Sequence, residues 1–254
     1  MEMSSELFRW VHVIAGVMWI GLLWFFNFVN IPFAAKMKEA GAAGTVVPEL
    51  MPRALFWFRW GAAWTWVTGV LLLLLVFYHG GVLFDDEATN WGTGPLVMIA
   101  VTFLAVFVYD LLFKSGLAAK NIKAAYTIAF VLVAVTACLM ARWAGFGYRG
   151  MSIHVGAMFG TIMAFNVWFR IWPAQQKIIT AVKAGEAPDP ALPVLAGGRS
   201  KHNTYLSVPL LWMMIETHTT AFSGWGEIGV LVFVLLGWHV AWQFYSKSTK
   251  VGGF

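Results

Sequence analysis

The chain has 254 residues, 60% of them hydrophobic and 11% charged, with a mean hydropathy of +0.72. Soluble domains run about 45–50% apolar and about 25% charged, so this composition excludes a water-soluble globule, a disordered chain and a coiled coil. Cys138 is the single cysteine, which excludes a disulfide scaffold and a Cys-x-x-Cys-His haem attachment. A bilayer core about 30 Å thick needs about 20 mostly apolar residues per helix, and seven such segments follow in chain order: 7–33, 56–78, 96–113, 124–143, 151–172, 204–222 and 229–244. The residues ahead of the first, Met1-Glu2-Met3-Ser4-Ser5-Glu6, are acidic where a signal peptide needs positive charge, and that span is too long for an h-region. The sixth span is weak. Pro209 interrupts it and Glu216, Thr217 and His218 crowd its end, which predicts a short or broken helix enclosed by the others. The expectation is an all-α integral membrane protein, a bundle of about seven transmembrane helices forming a single domain over residues 1–254.

Numbering the loops on seven crossings separates the 17 Lys and Arg by side. Lys36, Lys38, Arg53, Arg59, Lys114, Lys120 and Lys123 share one side with Arg170, Lys177, Lys183, Arg199, Lys201, Lys247 and Lys250. Only Arg9, Arg142 and Arg149 fall on the other, together with the acidic Asp85-Asp86-Glu87 loop. The positive-inside rule then places the amino terminus outside and the carboxyl terminus in the cytoplasm of a bacterial inner membrane. The formal charge of +5 is therefore a topology signal and implies no nucleic-acid partner. Most of the 15 tryptophans fall near span ends, as an interfacial aromatic belt requires. Trp19 and Trp64 sit deeper and are expected to pack against helices or a cofactor.

Ionisable and polar side chains within spans are costly and mark functional sites by default. An outer group is rich in histidine: His12, His79, His154 and His218 all fall near one membrane face. At 100° per residue His12, Gly16, Trp19, Leu23, Phe26 and Asn30 form one stripe, and His154, Met158, Thr161 and Phe165 form another. Met214 lies one turn before His218. Facing histidines, or a His and a Met, on separate helices supply the axial bonds of a b-type haem, so His12, His154, His218 and Met214 are the candidate cofactor ligands. Ala15 with Gly16, and Gly156 with Gly160, would let a flat macrocycle approach; Gly156-x-x-x-Gly160 reads equally as a helix-packing face.

The inner group comprises Asn27, Asn30, Arg59, Asp110, Asn166, Arg170, His202, Asn203, Thr204 and His239. Mutual neutralisation of Arg59 and Asp110 is the simplest account of those two charges, and Asp110 with Lys114, one turn on, is the alternative. A set of Arg, Asn, Thr and His suits a flat hydrogen-bonding anion; it suits a structural polar network as well. No phosphate-binding Gly-rich loop, His-Glu-x-x-His or Gly-x-Ser-x-Gly occurs, and the last span has no mid-depth lysine for retinal.

Four stretches carry a resemblance. They are His12-Val-Ile-Ala-Gly-Val-Met-Trp19-Ile-Gly21-Leu-Leu, Arg53-Ala-Leu-Phe-Trp-Phe-Arg59-Trp-Gly-Ala, Asn166-Val-Trp-Phe-Arg-Ile-Trp172-Pro-Ala-Gln175 and His202-Asn-Thr-Tyr-Leu-Ser-Val-Pro209. Together they resemble the membrane domain of bacterial membrane-bound urate oxidases. The shorter His-x-x-Ala-x-x-x-Trp-x-Gly element is also similar to the first helix of membrane-type protoporphyrinogen oxidases and copper-resistance proteins. The urate-oxidase resemblance implies a haem-bearing redox protein that hydroxylates urate to 5-hydroxyisourate and passes electrons to a cytochrome c. In that family the cytochrome is a fused carboxyl-terminal domain behind a further crossing, and no such segment precedes Phe254. The expectation is a separate cytochrome c or other redox subunit as acceptor.

On this scheme Arg59 holds the substrate anion, Asn166, Asn203 and Thr204 line its site, and His202 or Asp110 takes its proton. The competing expectation is a non-catalytic accessory subunit of a larger respiratory or photosynthetic membrane complex. A transporter of haem, metal or a small anion rests only on the broken sixth helix.

Overall fold

A computed structural model of the protein describes residues 2–85, 91–219 and 221–251. Asp86 and Glu87 of the acidic loop lie outside the described residues.

Among the described residues every regular element is helical. Helix α1 joins Glu2–Trp24 through a π segment, Phe25–Asn30, to Ile31–Glu39. Helix α2 runs over Ala43–Leu72 and ends in a second π segment, Leu73–His79. Then come α3, Thr93–Lys114, the single turn and a half of α4, Gly116–Lys120, and α5, Ile122–Arg142. Helix α6 joins Tyr148–Asn166 through the third π segment, Val167–Ile171, to Trp172–Lys183. The last two are α7, Ala191–Glu216, and α8, Gly226–Ser248.

Among the described residues, six stretches are long and apolar enough to cross a membrane: Met3–Glu39, Ala43–His79, Thr93–Lys114, Ile122–Arg142, Tyr148–Lys183 and Ser223–Ser248. They correspond to all but the sixth expected span and make the chain a multi-pass membrane protein. Three run well past the expected bounds, because polar turns at the end of the first and fifth and at the start of the second continue as helix where hydropathy gives no signal. Gly41, at φ +69°, takes the left-handed position that ends α1, with its N–H on the Lys38 carbonyl at 3.1 Å.

The sixth span needs correcting. It is neither short nor broken: α7 begins at Ala191 and runs unbroken through Pro209 to Glu216. Proline removes one backbone donor and crowds the preceding turn, yet its ring is held against α8. A Cβ on Gly237 would stand 2.6 Å from Pro209 Cδ, so the glycine makes the space the ring occupies. Thr217 and His218 lie beyond the helix in a turn.

The chain divides into two compact units. One, the His12 unit, comprises Glu2–Gly69, Met163–Val208 and Trp238–Phe254. Its buried core includes Ala15, Trp19, Leu23, Leu55, Phe58, Ala62, Met163, Val167 and Ala241. Here α1 and α2 approach closely, since a Cβ on Gly61 would lie 3.2 Å from the Trp19 backbone nitrogen. Small residues at such crossings are the usual means of packing helices in lipid.

The other, the His154 unit, comprises Val70–Ile162 and Pro209–Gly237. Its core includes Leu83, Met98, Met140, Met151, Val155, Met213 and Val230. Asp85 caps α6 here: its Oδ2 accepts from the Tyr148 backbone N–H at 3.0 Å, satisfying a donor at the helix amino terminus.

Candidate functional site

The α1 stripe packs inward. Trp19, Leu23 and Phe26 are buried, with His12 and Asn30 half-buried at its two ends. In the His12 unit, the ring of His12 lies on α2. Thr68 donates its hydroxyl to the Trp64 carbonyl at 2.6 Å, so its oxygen accepts from His12 Nδ1–H at 3.1 Å. With Nδ1 as that donor, Nε2 carries the lone pair; the ring also bonds the Thr65 backbone. Gly69 completes the seat: a Cβ there would be 3.0 Å from His12 Cε1. A second-shell acceptor on one ring nitrogen with the other nitrogen left as a ligand is the arrangement that metal-binding histidines use.

His154 belongs to the other unit and is fully buried. Its Nδ1–H donates to the Gly150 carbonyl at 2.6 Å, and Tyr78, on the second π segment, donates its hydroxyl to Nε2 at 2.8 Å. Both nitrogens are therefore committed. Met214 packs with Leu73, Phe77 and Ile153 in an apolar cluster, while His218 is exposed. A Cβ on Gly156 would meet Met213 Cβ at 2.9 Å, and one on Gly160 would meet Leu210 at 4.0 Å, so this pair is a helix-packing face. Ala15 and Gly16 face α2 in the same way: a Cβ on Gly61 would lie 3.3 Å from the Ala15 carbonyl, and one on Gly16 would meet Thr65 at 3.7 Å. Trp19 is buried as expected, whereas Trp64 is 54% exposed.

Asp110 pairs with Lys114 at 2.8 Å, the alternative of the two expected partners. Arg59 lies in the His12 unit, its guanidinium carbon 3.9 Å from the centre of the Trp172 ring, while Trp168 Nε1 donates to the Arg59 carbonyl at 3.1 Å. A guanidinium stacked by its face keeps its N–H edge for an anion. His202 is half-buried on α7, one turn beyond Arg199.

Asn166 and Asn203 do come together. Asn166 Nδ2 donates to Asn203 Oδ1 at 2.9 Å, and Asn203 Nδ2 donates to the Met163 carbonyl at 2.9 Å. Both residues are fully buried, as is Thr204, whose hydroxyl donates to the Ser200 carbonyl at 3.1 Å. The network extends to α1 and α8. Trp24 Nε1 donates to Ser207 Oγ at 3.0 Å, Asn27 Nδ2 to Ser200 Oγ at 2.8 Å, and Tyr245 to Asn27 Oδ1 at 2.8 Å.

Next to this network the His12 unit contains a cavity with about 100 Å³ open to the centres of water-sized molecules. One water needs roughly 10–15 Å³ on that measure, so a small ring fits. Two π segments build it, supplying Phe26, Asn27 and Asn30 from one side and Ile171 from the other. Such segments are rare and concentrate at functional sites. Gln175, Gly197 and Ser200 complete its polar rim. Asn27 and Asn30 stand out in the sequence as amides in an apolar helix, but these three lie in the polar stretches 173–177 and 196–201, which give no such signal.

A family model described as urate oxidase N-terminal matches residues 42–252. The chain belongs to this family. The match covers α2 to α8 and begins after α1, so His12 lies ahead of it. No curated protein and no solved structure matches the chain. The His12 unit thus holds a seated histidine, an arginine over an indole and an amide-rimmed cavity.

Proposed function

We propose that the protein is a membrane redox protein that oxidises urate or a related purine, with a b-type haem held through His12. The observation that carries this reading is the seat of His12, where Thr68 holds Nδ1 and Gly69 makes room for the ring, leaving Nε2 to bind iron. A bound haem would supply a one-electron redox centre. His154 fits the same role less well, because its Nε2 would have to exchange the Tyr78 hydroxyl for iron.

The chain's own residues then bind and deprotonate. Arg59, stacked on Trp172, offers its N–H edge to the substrate anion. His202 takes the proton; Asp110, in the other unit, is held by Lys114. Asn166, Asn203 and Thr204 act by holding α6 and α7 in register around the site. Electrons leave to a cytochrome c or another redox subunit. The distribution of basic residues supports an outside amino terminus in the bacterial cytoplasmic membrane.

One observation favours the second reading, a non-catalytic accessory subunit of a larger membrane complex: the amides expected to grip substrate are buried and bonded to each other. An oxidised-minus-reduced spectrum of the protein in mild detergent separates the two. A b-type signal lost in His12→Ala supports the redox reading. Intact protein with no Soret band refutes it and leaves the accessory role, which requires co-purification with redox partners at fixed stoichiometry.

A further inference from the structure

The cavity of the His12 unit is not suited to an anion. Its lining is Phe26, Ile31, Leu55, Phe58 and similar groups with Asn30, Gln175 and Ser200, and it includes no Lys, Arg, His, Asp or Glu. An acidic purine entering it would lose hydration and gain no charge-assisted bond. We propose that this cavity binds the headgroup of a lipid-soluble quinone.

The donors match a ring that carries carbonyl acceptors and no donors. Asn30 Nδ2 is held only loosely, by Met51 Sδ at 3.8 Å. The Gln175 amide bonds to no described side chain. Ser200 Oγ accepts from Asn27 and keeps its own hydrogen for a ligand. Phe26 and Phe58 meet edge to face with centroids 5.3 Å apart, giving a flat ring an aromatic wall. Asn27, by contrast, is fully used: it donates to the Leu23 carbonyl and to Ser200, and accepts from Tyr245.

The location fits a lipid-soluble molecule. The walls from α1, α2 and α6 belong to membrane-spanning stretches, and Ile31 at the rim is 55% exposed. An isoprenoid tail can stay in lipid while the head enters. Quinone taking two electrons and two protons leaves as quinol, so urate, water and quinone balance 5-hydroxyisourate and quinol, with the quinone standing in place of the cytochrome c as first acceptor. That electron source rests on the redox reading above; the binding does not.

The test is a titration of the full-length protein in mild detergent with short-tailed benzoquinone and naphthoquinone analogues, followed by calorimetry. Saturable binding is expected, weakened about tenfold in Gln175→Leu and in Asn30→Leu, as for loss of one hydrogen bond to a buried neutral partner. Gln243→Leu, an amide outside the cavity, leaves the affinity unchanged. Absence of saturable binding to folded protein overturns the proposal, as does equal affinity in both cavity variants. Competitive displacement by urate overturns it too and makes the cavity a purine site. A missing Soret band or absent urate turnover leaves this result untouched, so the two readings fail separately.

Discussion

The Asn166–Asn203 pair gives the sharpest division between structural and binding roles, through Asn203→Leu. The leucine is close in volume, but it deletes a donor to the Met163 carbonyl and an acceptor for Asn166 Nδ2, both at 2.9 Å in a fully buried setting. A buried group left without a partner costs about 1–3 kcal/mol, and two are affected here. Interhelical bonds in membrane proteins average nearer 0.6 kcal/mol, because the unfolded state in lipid or detergent finds partners of its own. The second effect dominates in a detergent assay, so about 1–3 kcal/mol in total is expected. For a chain of this size that lowers Tm by roughly 3–10 °C. Thermal unfolding in one detergent, followed by intrinsic tryptophan fluorescence, reads it directly. Asn166→Leu/Asn203→Leu should cost less than the sum of the single variants, since neither partner is then stranded. An Asn203→Leu protein that melts with the wild type yet no longer binds substrate would refute the structural assignment and return the pair to the binding site.

Three further outcomes are expected. Gly69→Val drives a side chain into the His12 ring and Thr68→Val removes its acceptor; both should broaden or abolish a haem signal while leaving far-ultraviolet helicity unchanged, and a normal spectrum in both would remove His12 as ligand. Glu216 is fully buried beside Tyr148, Ser152 and Arg149, and burial holds its carboxyl above the ordinary range; Glu216→Gln removes the cost of ionising it there and should raise Tm at neutral pH and above, whereas a large fall would mean that Arg149 depends on it. Gly237→Ala places a methyl 2.6 Å from Pro209 Cδ and should destabilise by about 1–3 kcal/mol through overpacking, visible as a lower melting temperature that Pro209→Ala partly restores.

Most of the fold was legible because lipid demands long apolar runs, and six of the seven expected spans rest on nothing else. The stripe from His12 to Asn30 followed from helical spacing, and the Asp110–Lys114 pair from i,i+4 geometry. Helix ends were less legible. Pro48 and Pro52 sit inside the polar start of α2, where local signals argue for a break. Pro209 misled in the same way, because the space that accommodates its ring is created by Gly237, 28 positions along the chain. In the site, residue types were readable but their commitments were not: nothing in the sequence says that Asn166 is answered by Asn203 or His154 by Tyr78.

The π segments bear on how such proteins diverge. Each holds one residue more than an α-helical path between the same points requires. Deleting a single residue from 25–30 would restore ordinary helix with the flanking turns still in register, and would remove the local widening that places Asn27 and Asn30 on the cavity wall, with both side chains still present. Chain length, as much as side-chain identity, thus writes the rim of this cavity. Homologues one residue shorter at 25–30 and at 167–171 could keep Asn, Gln and Ser in place and have no pocket, so a deletion scan would expose a dependence that an alanine scan would miss.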